Sequence, residues 1–337
     1  MNSRELMRRT LRFEHVDRLP RTVWTIPYIW MYKKDDLDRF NARYPEDIGY
    51  AAGMHYGTSH YFKGEPNRKG SYIDEFGCEV HSAEDGVCGE VKKWPIHTMD
   101  DLDKYKMPWE MLDEADFSGQ TEAYKANDKY ILSNTLTRPF ERMQFLAGTA
   151  ELYMNIAEET PLFLKLREMV HEFELRDIKM VAAQAVDGVC FMDDWGSQRS
   201  LLISPATWRK YFKPMYKEYC DIIHAAGKDV FMHSDGCIEL IYEDLIEIGV
   251  NAINSQLFCM DMEKIGAQYA GRIAFWGEVD RQHILPWGTE DDVRKAVRRI
   301  GNALLKKGHT GLIAQLSWET GTSLQNVLAA FDEFDRI

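Results

Sequence analysis

The chain has 337 residues, 45% hydrophobic and 28% charged, with a formal net charge of -13. That length buries a large core without disulfide or metal staples and fits either two average domains or one large barrel. The acidic balance argues against nucleic acid or an anionic membrane as the main partner, because phosphate recognition needs a basic face.

The longest apolar stretches are too short to cross a bilayer. The opening Met1-Asn2-Ser3-Arg4-Glu5 carries no signal-peptide apolar region, so a cytoplasmic protein is expected. Six cysteines, at 78, 88, 190, 220, 237 and 259, form no Cys-x-x-Cys pair. They read as free thiols, and a cysteine-rich zinc site is not signalled.

In chain order, Ser3 to Phe13 reads as an N-capped helix with Leu6, Leu11 and Phe13 available to one face. Arg21 to Ile26 reads as the first strand, and Trp24, Tyr28, Trp30 and Tyr32 cluster within and just after it. Arg68 to His97 differs, with glycines at 70, 77, 86 and 89 and short β-prone pieces. It reads as a β-hairpin insertion. Tyr130 to Asn134 is a strand, followed by helices from about Pro139 to Ala185. Gly188 to Met192 is a strand ending in Asp193-Asp194. Pro205 to Ala226 reads as one helix capped by Gly227.

Asp229 to Met232 is a short apolar strand ending in His233-Ser234-Asp235-Gly236-Cys237, before a helical segment from Ile238 to Ile248. Three more strands follow, at Ala252 to Asn254, Arg272 to Trp276 and Gly311 to Gln315. Strands alternating with helices of this length imply a parallel sheet. Seven or eight such units with polar strand ends predict a (β/α)8 TIM barrel. It would form one domain over residues 1–337, with an N-terminal helical segment and an insertion at about 68–98.

Such barrels carry their chemistry where strands end. The predicted rim gathers Asn134, Arg138, Asp193, Asp194, His233, Asp235, Glu278, Asp280 and Glu319. Carboxylates around one imidazole suit a divalent ion such as zinc, with His233, Asp194, Asp235 and Glu319 as ligands. The set equally suits acid–base catalysis by His233, Asp193, Asp194 and Asp235, since clustered carboxylates push each other's pKa values apart.

Plainer readings stand beside these. Asp193 and Asp194 can cap a helix or pair with Arg199. A single histidine is more often structural than a ligand, and Glu278 with Asp280 can brace a turn. Cys237 can open the next helix, where its thiol would be a weak nucleophile. The aromatics from Trp24 to Tyr32 can be core or can line an apolar substrate site.

Several stretches resemble the uroporphyrinogen decarboxylase superfamily, and within it the corrinoid-dependent methyltransferases. They are the Arg4-to-Pro20 opening, Pro139-Phe140 with Gly148, Phe191 to Gln198, and Ile203-Ser204-Pro205 with Trp208. Phe212-Lys213-Pro214, His233-Ser234-Asp235-Gly236, Gly277-Glu278-Val279-Asp280 and Gly288-Thr289 complete the series, which runs on to Gln325-Asn326. The resemblance implies a (β/α)8 barrel.

Decarboxylases of the haem pathway carry an Arg-Gln-Ala-Gly-Arg segment soon after the first strand. Here Thr25 to Tyr32 holds no arginine, which argues against a porphyrinogen substrate. Coenzyme M methyltransferases of the resembled branch bind zinc through His-x-Cys and a later cysteine. Here His233 matches the histidine, Asp235 replaces the first cysteine, and Leu316 to Glu319 holds no later one.

The resemblance therefore implies a methyltransferase that carries zinc. It would move a methyl group from a methoxylated, aromatic small molecule to a corrinoid (cobalamin) on a partner protein, in anaerobic demethylation. Substrate contacts are expected from Trp24, Tyr28, Trp30, Asn134, Arg138, Trp195, Gln198 and Glu278. Two alternatives stay open: a decarboxylase or lyase acting on a small carboxylic acid, and a non-enzymatic module that binds a corrinoid protein. Members of the superfamily often form homodimers, and the sequence is silent on this.

Overall fold

The computed structural model describes residues 1–305 and 310–337. Eleven strands are present among the described residues: β1 (Arg21–Thr25), β2 (Ile48–Tyr50), β3 (Gly70–Ile73), β4 (Glu79–Ser82), β5 (Glu90–Lys93), β6 (Tyr130–Asn134), β7 (Gly188–Met192), β8 (Asp229–Ser234), β9 (Ala252–Ser255), β10 (Ala274–Trp276) and β11 (Leu312–Trp318). Eight of them form one sheet in the order β1-β11-β10-β9-β8-β7-β6-β2, every pair parallel. This is the expected (β/α)8 barrel.

The sequence reading has no strand at 48–50. Ile48-Gly49-Tyr50 is too short to show a period, and only its pairing with β6 makes it a strand. The insertion holds three antiparallel strands, β3-β4-β5, one more than the expected hairpin. The single helix expected over Pro205–Ala226 is two, Pro205–Tyr211 and Lys213–Ala225. Pro214 stands at the start of the second, where its missing N–H costs nothing. Cys237 lies in the loop after β8, ahead of a short 3₁₀ turn at Glu239–Ile241, and does not open a helix.

The barrel is packed, not hollow. Tyr130, Phe231 and Trp276 make a column of edge and tilted ring contacts that reaches Trp24. The first helix, Ser3–Leu11, closes the floor with Met7 and Leu11, both part of this interior cluster. Its N-cap is Asn2, whose side chain accepts from the Glu5 N–H.

No ladder joins β1 to β2 among the described residues, and side chains close that seam instead. The Asp47 N–H donates to the Arg21 carbonyl at 2.9 Å, while the Asp47 carboxylate accepts from the Arg21 N–H at 2.9 Å. The same carboxylate takes two bonds from Arg18 and one from Ser3. One residue up, Glu46 Oε2 accepts from the Val23 N–H at 3.0 Å and the Thr22 hydroxyl at 2.6 Å. At the top, the Trp24 indole N–H donates to the Tyr50 hydroxyl at 2.9 Å.

Asp47 is 1% exposed, so its removal strands an Arg21 N–H, a hydroxyl and a guanidinium at once. Asp47→Ala should cost about 3 kcal/mol of unfolding free energy. Denaturant titration would read it, and a loss below about 1 kcal/mol would mean the seam holds without this carboxylate.

Candidate metal and substrate site

The candidate site forms where the loops after β7 and β8 touch. Gly236 has φ +79°, and a Cβ on it would lie 2.1 Å from the Gly196 carbonyl carbon, so only glycine allows this approach. The two loops are then tied together. Gly196 N–H donates to the Asp235 carbonyl at 3.1 Å, and Cys237 N–H to the Ser197 carbonyl at 2.7 Å. Trp195 N–H donates to the Ser234 hydroxyl at 3.0 Å, and Asp235 N–H to Asp194 Oδ1 at 2.9 Å. This places the Asp194 and Asp235 carboxylates on either side of His233.

Register brings His233 beside Asn254 on β9. The Asn254 amide nitrogen donates to the Trp276 carbonyl and to Gln315 Oε1, which turns its oxygen toward His233 Nδ1 at 2.6 Å. An acceptor at that distance keeps the proton on Nδ1. The lone pair of Nε2 then faces Asp194 Oδ1 at 3.4 Å and Asp235 Oδ1 at 3.6 Å. The Trp24 ring packs edge-on against the imidazole at 5.1 Å between centroids.

One donor atom from each of Asp194, His233 and Asp235 lies within 4.8 Å of the other two. The 3.4 and 3.6 Å spacings are long for hydrogen bonds. They are close to the roughly 3.3 Å that separates tetrahedral ligands of zinc. Asp235 Oδ1 is buried with no hydrogen-bond partner. An orphaned carboxylate oxygen beside a free imidazole nitrogen is a donor set that fits a divalent ion.

Charges around the triad are interlocked. Arg281 holds Asp235 Oδ2 and reaches Glu278 at 3.3 Å and Glu319 at 3.4 Å. Arg138 reaches Glu141 at 3.2 Å and Asp194 at 3.5 Å. Burial opposes a charged His233, yet the Asp194 and Asp235 carboxylates outweigh it and raise its pKa. Burial likewise pushes Asp194 up, but His233 and Arg138 bring it below the usual carboxylate range. Glu278 is 1% exposed and neither oxygen has a hydrogen-bond partner. Burial drives its pKa up to about 8, against the pull of Arg281.

Above the triad opens a cavity of about 910 Å³. Trp24, Tyr50, Arg138, the triad, Arg281 and Glu319 all line it. The insertion supplies a further wall, with Tyr72, Val80 and Ser82 from β3 and β4 beside Arg142 and Phe145 from the helix Pro139–Ala147.

The structure thus brings Asp194, His233, Asp235, Glu319, Arg138 and Trp24 to one cavity and sets other expected residues apart. Glu319 lies outside the three converging donors. Glu278 sits behind Arg281 and faces a second, smaller recess.

Asp193 is fully buried and accepts from the Phe140 and Glu141 N–H groups and the Tyr216 hydroxyl. It caps the helix Pro139–Ala147 from across the fold, and burial pushes its pKa up to about 7. Trp195 is also fully buried, stacked on Phe140 at 4.0 Å with its N–H on the Tyr216 hydroxyl. It packs the core because its loop is pulled inward by the Ser234 hydroxyl.

Asn134 and Gln198 are exposed and do not line the cavity. Trp30 is 50% exposed on the helix Pro27–Tyr32, and Tyr28 leans on the insertion through its N–H to the Gly86 carbonyl. Both lie off the cavity because that helix turns the chain away from the rim.

Asn254, Arg281, Glu141 and Arg142 are additions that sequence reasoning did not make. Arg281 follows directly on the Gly277-to-Asp280 strand end, which is the one signal that could have found it.

Glu278 generates a prediction about stability in chelator-treated protein. Its folded pKa of about 8 lies above the unfolded value near 4.5, so between these the folded state holds the proton longer. Its contribution to stability therefore falls as pH rises from about 4.5 to 8, by at most about 1.4 kcal/mol per pH unit. Glu278→Gln should flatten that slope in denaturant titrations at several pH values; an unchanged slope would show that Glu278 titrates normally.

The family model described as Uroporphyrinogen decarboxylase (URO-D) matches residues 71–336. No protein of curated function matches the chain in sequence. Among solved structures, a methyltransferase from Methanosarcina mazei superposes with a TM-score of 0.72 at 14% identity, covering 100% of this chain and 99% of that one. An endo-beta-1,4-xylanase from Gloeophyllum trabeum gives a TM-score of 0.46 at 10% identity, covering 96% and 98%.

Proposed function

This chain belongs to the uroporphyrinogen decarboxylase family, and on that premise we propose that it transfers a methyl group from a methoxylated aromatic compound to the cobalt of a corrinoid carried by a partner protein. The observation that carries the reading is the convergence of Asp194, His233 and Asp235 at the base of an open rim cavity. The solved methyltransferase of the same fold is consistent with it. A cavity of about 910 Å³ has room for a substituted arene, and Trp24, Tyr72 and Phe145 are among the residues that line it.

A divalent ion on Asp194, His233 and Asp235 would supply Lewis-acid polarisation of an ether oxygen, and a set without thiolates leaves it more electrophilic. The chain's own residues do the rest. Asn254 keeps the His233 proton on Nδ1 and Nε2 free. Arg281 fixes Asp235 by its second oxygen, leaving Oδ1 toward the imidazole. Trp24 shields one side of the imidazole from water. Should the site work without an ion, the raised pKa of His233 equips Nε2 to protonate a departing phenolate. A corrinoid cobalt(I) presented by the partner at the open side of the rim would accept the methyl group as the methyl–oxygen bond breaks and the phenolate departs. A decarboxylase reading is less well served, because each arginine lining the cavity already holds a carboxylate.

The test mixes the purified protein with reduced cobalamin or a corrinoid protein and a panel of methoxyarenes, methylamines and methyl thioethers. Visible absorbance should report methyl-cobalt, and elemental analysis about one zinc per chain. His233→Ala should lose the metal and lower the rate at least about 100-fold. Asn254→Leu should weaken metal binding about 10- to 100-fold with the fold intact. No methyl-cobalt from any donor would sink the proposal, and carbon dioxide release from a small acid would replace it with a lyase.

A further inference from the structure

We propose that the rim cavity selects its methyl donor by charge, accepting neutral or cationic aromatic compounds and rejecting those that carry a carboxylate. The inference rests on the reading of this cavity as the donor site. Its lining contains three arginines and no lysine, against seven aspartates and glutamates. With His233 neutral, the surplus is four negative charges, and a bound divalent ion would still leave two.

All three guanidinium groups already pair with carboxylates, and Arg138 keeps an edge without one, its Nη2 meeting the Met192 sulfur at 3.7 Å. Arg142 is buried against Asp74 at 2.6 Å and lies over the Phe76 ring at 4.0 Å. Arg138 is shared between Glu141 and Asp194, and Arg281 among Asp235, Glu278 and Glu319. Each holds at least one carboxylate, and two of the three hold more than one.

The remaining carboxylates have no cation within ion-pair distance among the described residues. Glu46 is occupied by the Val23 N–H and Thr22 hydroxyl of the barrel seam, which neutralise no charge. Glu75, half-buried on the insertion, has no side-chain hydrogen bond or ion pair among the described residues. A donor carrying its own carboxylate would enter a field of its own sign, with low-dielectric walls to strengthen it. A donor carrying an ammonium group would find the aromatic side chains of Trp24 and Tyr72 in the same cavity as unpaired acid. Recognition of the donor's far end thus falls to the insertion and its flanking helix, while the triad handles the methyl-bearing end.

The experiment uses ligands that cannot donate methyl, so it reads selection apart from chemistry. Calorimetric binding of benzylamine, phenol and benzoate to the chelator-treated protein, in which no metal can coordinate the carboxylate or the amine, should give benzoate the weakest affinity, by at least about tenfold at low salt. Raising the salt should narrow the gap. Glu75→Gln should improve benzoate several-fold, weaken benzylamine and leave phenol unchanged. Benzoate binding as tightly as phenol would overturn the proposal, as would no binding of either phenol or benzylamine, or equal shifts of all three ligands in Glu75→Gln. If this order holds while no donor methylates cobalt, the methyltransferase reading fails and charge selection stands.

Discussion

The seam between the first two barrel strands is the constraint on which the rim depends. A parallel barrel needs every strand to find two neighbours, and among the described residues no ladder joins β1 to β2. Carboxylates at 46 and 47 accept the N–H groups of β1 that a ladder would have satisfied. The closure fixes Trp24 beside Tyr50 at the top, and Trp24 in turn packs on the imidazole of His233. The orientation of the candidate ligand is thus tied to a hydrogen-bonding solution at the opposite end of the strand.

A second dependence runs through buried carboxylates that lie off the cavity. Asp193 draws the N-terminus of the helix Pro139–Ala147 onto the end of β7. Asp177 and Glu174, on the helix Pro161–Ala182, hold Leu136 and Thr137 just before it. Arg138 is the residue between these anchors, and so its side chain is delivered to the cavity beside Asp194. Neighbouring acids in one short stretch therefore divide the labour: Asp193 sets backbone, and Asp194 offers a free edge to the site.

Much of this was legible in the sequence because strand ends advertise themselves. Gly188 to Met192 and Asp229 to Met232 are short apolar runs that stop at acids and a histidine, and the barrel turns that pattern into a rim. What the sequence could not show was direction. Asp193 and Asp194 are adjacent and chemically alike, yet only pairing with Phe140 and Glu141 decides which one turns inward. Trp195 reads as a stacking platform and is core, because a serine hydroxyl on the next strand draws its backbone in. Arg281 and Asn254 lie outside the acid-and-histidine pattern, and their roles come from contacts across strands. Ile48 to Tyr50 carries too few residues to display any period.

The insertion has a consequence for how such a protein changes over time. Its three strands form a sheet separate from the barrel. It is fastened to the helix Pro139–Ala147 by the Asp74–Arg142 pair and to the helix Pro27–Tyr32 by the Gly86–Tyr28 contact. Substitutions at Tyr72, Glu75, Val80 or Ser82 can reshape the wall without disturbing any barrel hydrogen bond. The wall of the cavity and the Asp194–His233–Asp235 cluster are therefore inherited on different pieces of the chain, and a lineage can reshape one while keeping the other untouched.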